Sequence, residues 1–297
     1  MSHSRAVALM VVVTLMWSIA GVVTRHLEAA RAFEVTFWRS FFNACFLLVA
    51  LALWRRGGLW RSFANGGWPL WVSGLMWSIM YTCFMVALTL TTVANVLITM
   101  ALAPLATALV SRVVLKQRLP ARTWGAIAVA GAGIAWMYGS EVSGIDPQHL
   151  LGTLVALGVP MAAAVNWTVI QRSSHRGRPG ATQDMLPAVL IGAALSALVS
   201  LPLAWPMQAS THDLSLLALL GLFQLAIPCL LAVQLARVLP APEVALLALL
   251  EVVFGVAWAW LGAGEAPTPH VLGGGALVLL ALGTNEALGL RQARERR

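Results

Sequence analysis

Ten apolar stretches of about 20 residues take up two-thirds of this 297-residue chain. They run over roughly 6–24, 35–54, 69–89, 93–111, 122–139, 150–170, 185–205, 214–235, 242–262 and 270–290. A helix crossing a bilayer needs that length of mostly apolar sequence. What remains between the stretches is loops, with no room for an extramembrane domain. Only 10% of the residues are charged and 60% are hydrophobic, against about 25% charged in a soluble globular protein. Such a chain cannot keep a water-facing surface solvated, which excludes a soluble enzyme. The expected fold is all-α and integral to a membrane, with ten transmembrane helices. Arg5 followed by an apolar run and Ser18-Ile19-Ala20 has the outline of a signal peptide. The run continues through Val23, and Trp17 stands where a cleavage region would be, so an uncleaved first helix is expected.

The net charge of +8 would ordinarily raise nucleic acid as a partner. Here it has a membrane explanation instead. With the N-terminus in the cytoplasm, the inner segments hold 16 of the 19 basic residues, among them Arg5, Arg55, Arg61, Arg112, Lys116, Arg122, Arg172, Arg237 and Arg291. The outer loops hold Arg25 and Arg31, and Arg39 lies within helix 2. Basic residues concentrate in cytoplasmic loops, so this split predicts ten helices, both termini cytoplasmic, in the inner membrane of a bacterium-like cell. Trp38, Trp136, Trp205 and Trp260 fall near the outer boundary, and Trp54, Trp60, Trp68, Trp71 and Trp124 near the inner one. They form the expected interfacial belts.

The chain also carries a weak internal repeat. A shift of 148 places Leu102-Ala103-Pro104-Leu105 on Leu250-Glu251-Val252-Val253, Gln117 on Glu265 and Gly125 on Gly273. The midpoint falls in the loop Ser140–Gln148, giving halves 1–148 and 149–297. Five helices per half is an odd number, so the second half enters the membrane from the opposite side. The loop charges require the same inversion. Carriers built this way place their site near the midplane, between the halves.

Several segments carry a resemblance to a known family. They are Trp17-Ser18 in helix 1, Phe37-Trp38-Arg39-Ser40-Phe41-Phe42 in helix 2, and Ala87-Leu88 with Ala94-Asn95 around the short link Thr89–Thr92. Pro104-Leu105 in helix 4, Leu250-Glu251-Val252 in helix 9, and Glu265 with Gly273 between helices 9 and 10 complete the set. Together they resemble the EamA-type, ten-helix branch of the drug/metabolite transporter superfamily. The resemblance implies a membrane carrier of small metabolites, often an exporter, with helices 5 and 10 peripheral and a cavity between the halves. Two positions depart from the family pattern. Gln117 stands where the first half usually has Glu, which is expected to weaken a loop contact. Val252 stands where Pro is usual, which is expected to remove a helix irregularity.

Polar groups inside a membrane are costly and usually face a cavity or a partner. Glu251, nine residues after Pro242, falls near mid-bilayer at about 1.5 Å per residue. It reads either as a group that titrates or binds a substrate amine, or as the partner of Arg39 or of a helix-locking hydrogen bond. Arg39 forms a polar stripe with Thr36, Ser40 and Asn43. Its alternatives are snorkelling to the outer headgroups, a substrate carboxylate clamp, or an ion pair with Glu251. Trp17, Trp77 and Tyr81 lie well inside the belts and read either as walls of a cavity or as interhelical packing with the polar tip bonded to a neighbour, and Trp167 is a further candidate. Asn95, Asn166 and Gln224 are amides that bond across helices or touch substrate. Pro104, Pro160 and Pro228 fall within helices, where each frees a backbone carbonyl and permits a kink.

Several mechanisms lack their sequence marks. No His-Glu-x-x-His occurs, no Gly-x-x-x-x-Gly-Lys exists to couple ATP, and no pair of buried aspartates suggests a protease. Cys45, Cys83 and Cys229 sit in apolar runs without metal-ligand spacing. No metal or cofactor is expected. The reading is a secondary carrier, exporting amino acids or related amines by alternating access. A proton-coupled efflux carrier for lipophilic cations is its rival in transport, and a membrane-embedded enzyme or assembly factor its rival in another class. Small-molecule substrate and lipid are the expected partners, nucleic acid is not, and the choice of monomer or homodimer stays open.

Overall fold

The computed structural model describes residues 1–30, 32–55, 58–91, 93–139, 147–175, 183–263 and 266–295. Among them the chain is helical, without strands. Among the described residues nine helical segments are long and apolar enough to cross a membrane. Some are single helices: α3 (Ala32–Arg55), α5 (Gly67–Leu90), α9 (Pro147–His175), α10 (Leu186–Ala204) and α15 (Pro269–Glu295). Others are built from two pieces: α1 (His3–Trp17) with α2 (Ala20–Thr24), α6 (Val93–Met100) with α7 (Ala103–Val114), and α13 (Ala241–Ala248) with α14 (Leu250–Ala263). One span runs through α11 (Thr211–Leu219), a π-helical stretch Leu220–Ala226 and α12 (Ile227–Leu235). The tenth expected span is α8 (Ala121–Tyr138). It is shorter, rich in glycine and less apolar. A short helix, α4 (Leu59–Ala64), joins α3 to α5.

Outward-facing positions of these helices are apolar: Leu53, Val113, Leu198, Leu203 and Leu261 are all more than half exposed. A soluble bundle would place charge there, whereas hydrocarbon requires this pattern. Polar side chains turn inward instead. Thr14, Thr36, Ser40, Asn43, Ser73, Thr107, Asn166 and Ser196 are all fully or almost fully buried.

The breaks in the helices have local causes. α6 ends in a turn at Ala101-Leu102, just ahead of Pro104 in the first turn of α7. Proline is tolerated there because its missing N–H would have no helical acceptor. The π stretch precedes Pro228, which lies in the first turn of α12. The N–H of Ile227 reaches back to Leu222, five residues earlier, the bonding of a π-helix. Pro160, by contrast, lies inside the continuous α9.

The break between α13 and α14 corrects a sequence expectation. Loss of proline at Val252 was expected to remove the irregularity, yet the helix still breaks at Leu249. The N–H of Leu249 bonds to Leu246 (3.2 Å) and that of Val252 to Leu249 (3.1 Å), both three residues back. Tightened bonding of this kind ends one helix and starts the next. It needs no proline. The break falls 148 residues after the one at Ala101, the same offset that aligns the halves in sequence.

α8 and α15 pack closely against each other. A Cβ on Gly274 would lie 2.3 Å from the Gly133 carbonyl oxygen, and one on Gly133 2.8 Å from that of Gly274. Only glycine lets these two backbones touch. α3 packs on α10 and the π stretch, α5 on α9 and α10, and α7 on α9 and α13.

Two sets of polar contacts tie the bundle ends. At one end the Asp213 carboxylate accepts hydrogen bonds from the N–H groups of Glu28 (2.8 Å), Ala29 (3.0 Å) and Ala30 (3.0 Å). Beside it, Glu34 accepts from the N–H groups of Gln208 (2.9 Å) and Ala209 (2.7 Å). α3 has 24 residues, so its far end lies about 35 Å away. There Arg55 pairs with Asp184, which Arg237 also approaches at 3.9 Å.

Candidate substrate site

The buried polar residues assemble around one line of side chains. The Trp77 and Trp167 rings meet edge to face with centroids 5.4 Å apart. Tyr81, one turn along α5 from Trp77, has its ring 5.5 Å from the Trp77 ring. The Tyr81 hydroxyl donates to the Cys229 sulfur at 3.3 Å. Trp17 approaches the same sulfur from α1, and its backbone carbonyl accepts from the Gln224 amide at 3.4 Å. Below Trp77, the Ser73 hydroxyl donates to Asn166 Oδ1 at 2.6 Å. The line is supplied by α1, α5, α9 and the π stretch with α12.

Charge is placed at its flank. Arg39 is 3% exposed and lies close enough to Tyr81, Cys229 and Glu251 for its charge to act on them. The snorkelling alternative fails, because the guanidinium faces the bundle interior. Glu251 is half-buried at the start of α14, beside the helix break. Its charge acts on Arg39 and Cys229. Among the described residues no ion pair within 4.0 Å joins Arg39 to Glu251. The two opposite charges face one region and do not meet.

Polar atoms left unsatisfied cluster in the same place. Arg39 Nε, both polar atoms of Asn43, Trp77 Nε1, Asn166 Nδ2 and Gln224 Oε1 are buried without a hydrogen-bond partner. Asn43 lies beside the Tyr81 hydroxyl. A buried polar atom without a partner costs about 1–3 kcal/mol. Such a cluster leaves donors and acceptors available to a polar ligand or to water.

Of the residues singled out in the sequence, Trp17, Trp77, Tyr81, Asn166, Trp167, Gln224 and Glu251 come together here with Arg39. Asn95 lies in α6, where its amide donates to Thr91 at 2.8 Å. Gln117 keeps a loop contact, accepting from the Gln171 amide at 3.4 Å. Glu265 lies outside the described residues. Sequence reasoning placed Cys229 in an apolar run without metal-ligand spacing, and nothing about an isolated cysteine there marks it as the hub of this line. It also passed over Trp258, whose indole donates to Ser18 at 3.1 Å.

The described residues form a multi-pass helical bundle with a polar, aromatic centre. The sequence matches the EamA-like transporter family over residues 4–139 and again over 150–284, and the chain belongs to that family. It is therefore a transporter of small molecules across a membrane, built of two repeats, and not an enzyme. Its fold is also that of a protein of known crystal structure, at a TM-score of 0.80 over 98% of this chain and 99% of that one. Identity between the two is 20%, so the likeness speaks for the fold alone. No curated protein sequence matches the chain.

Proposed function

We propose that the chain is a secondary carrier exporting amino acids or related amines across the inner membrane. Both termini are cytoplasmic, and alternating access arises between two inverted five-helix repeats, 1–148 and 149–297. The observation that carries the reading is the pair of interior charges that face one region without meeting. Arg39 would hold a substrate carboxylate, because a guanidinium can bind it through two parallel hydrogen bonds. Glu251 would hold the substrate ammonium. A zwitterion then supplies to each charge the counter-charge it lacks, and Trp17, Trp77 and Tyr81 wall the apolar part. Asn43, Asn166 and Gln224 have unsatisfied atoms available for the remaining polar groups. Family resemblance supports the outward direction, and the basic loops support the orientation.

Efflux of lipophilic cations exchanged for protons at Glu251 is the second reading. The half-buried carboxylate next to aromatic rings favours it, and the buried Arg39 opposes it by repelling a cation. Uptake into proteoliposomes separates the two. The carrier is expected to move a neutral zwitterion such as an amino acid, and not a permanent cation. Arg39→Lys and Glu251→Gln are each expected to abolish that flux. Flux of the permanent cation alone, surviving in Arg39→Lys, overturns the zwitterion reading.

A further inference from the structure

A second polar site lies away from the aromatic line, where the start of α1 meets α13 and α15. His3 opens α1, Glu243 sits in the first turn of α13, and Glu286 lies on α15. The ligand atoms of these three side chains all lie within 4.8 Å of one another. They line a cavity of about 110 Å³, with Gln117, Arg122 and Asn285 among its other walls. His3 Nε2 is 2.7 Å from Glu243 Oε1. The contact lacks hydrogen-bond geometry, and that oxygen is buried without a hydrogen-bond partner. The Glu243 and Glu286 carboxyls are themselves within hydrogen-bonding reach of each other.

Two carboxylates so close cannot both stay ionised alone: one holds a proton, or a cation lies between them. Of the built-in groups, His3 pairs with Glu243 as a cation only when its ring carries a second proton, and as a neutral ring it is free to ligate. Arg122 acts on Glu243 through its charge, but its Nε and Nη1 are buried with no acceptor. Arg118, on the same wall, is exposed and screened by solvent.

We propose that His3, Glu243 and Glu286 form a binding site for a divalent transition metal of the zinc type. One imidazole nitrogen with carboxylate oxygens suits zinc, whereas magnesium and calcium take oxygen ligands. Three protein ligands leave a position for water. An outer shell is in place: the Asn285 amide donates to Glu286 Oε1 at 3.2 Å and its carbonyl accepts from Thr123 at 3.2 Å. Such partners fix the orientation of a ligating carboxylate. The ligands are 240 and 43 residues apart, so no motif in the sequence displays them. His3 belongs to the first half of the chain and both glutamates to the second. A bound ion therefore fastens the halves at this end, whatever the carrier transports.

The test is zinc binding to the purified full chain, prepared without a histidine tag, by calorimetry and metal analysis. One zinc per chain is expected, with no competition from magnesium. His3→Ala and Glu286→Gln are each expected to weaken binding at least about tenfold, the scale seen even for outer-shell losses. Cobalt in place of zinc should give a visible spectrum that changes in His3→Ala. His3 is exposed at the chain start, so this variant keeps its fold even if Glu286→Gln does not. Absence of zinc binding to the wild type, or His3→Ala binding as tightly as the wild type, overturns the proposal.

Discussion

The Tyr81 hydroxyl donates to the Cys229 sulfur, and the two residues stand 148 positions apart. That interval is the one that superposes Leu102 on Leu250 and the α6/α7 break on the α13/α14 break. Corresponding positions of the two repeats thus touch each other at the centre of the aromatic line. The contact is a weak one, since sulfur is a poor acceptor. Tyr81→Phe and Cys229→Ala combined in a double-mutant cycle should show coupling of about 0.6 kcal/mol, the average for polar contacts between membrane helices. Chemical unfolding in micelles reads it, and coupling indistinguishable from zero contradicts the contact.

Arg39→Met separates stability from function. Replacing a buried charge that has no ion-pair partner by an apolar side chain of similar length removes a desolvation cost. The variant is expected to be more stable than the wild type by about 1–3 kcal/mol and inactive in zwitterion transport. A melting temperature below the wild type would mean that Arg39 holds the bundle together instead.

Trp77→Phe keeps an apolar ring but weakens the edge-to-face pair with Trp167. A loss of about 0.5–1.5 kcal/mol is expected. It is partly offset because the unpartnered indole N–H goes with the substitution. Tryptophan emission offers a second measurement, since Trp77 and Trp167 are nearly fully buried.

Asp213→Asn tests the clasp on the α2–α3 connection. A carboxylate that accepts four backbone N–H bonds, from Glu28, Ala29, Ala30 and Ser210, makes charge-assisted contacts, roughly twice as strong as neutral ones. The amide can keep part of this set with its single oxygen. A stability loss of about 2 kcal/mol is expected, and loss below a few tenths would show that the clasp is not formed in the membrane.

Gly274→Val drives a branched side chain into the Gly133 backbone. The closest atom there is a carbonyl oxygen, which cannot rotate away, so α15 must shift as a whole. Destabilisation of about 1–3 kcal/mol is expected. Gly275→Ala is the control, because nothing lies within 4 Å of a Cβ at that position.

The sequence made the spans legible because hydrocarbon imposes one pattern on every helix it surrounds. It also made Trp17, Trp77, Tyr81 and Gln224 legible, since large polar-tipped side chains away from the interfaces have few other uses. It misled at Val252. There the reading tied a helix break to proline, whereas the break at Leu249 comes from three-residue bonding set by packing. Cys229 and Asp213 were illegible for another reason: each owes its role to residues more than 140 positions away. The site of His3, Glu243 and Glu286 is hidden in the same way.

The two ends of the bundle are fastened by different chemistry, and this has a consequence for how the carrier responds to its surroundings. Asp213 and Glu34 hold backbone N–H groups, which carry no net charge. Arg55, Arg237 and Asp184 are partly exposed side-chain ions that face one another. Dissolved salt screens ions of the second kind and has little purchase on the first. Raising ionic strength should loosen one end and leave the other shut, so that the concentration of an inert electrolyte biases which face the carrier presents.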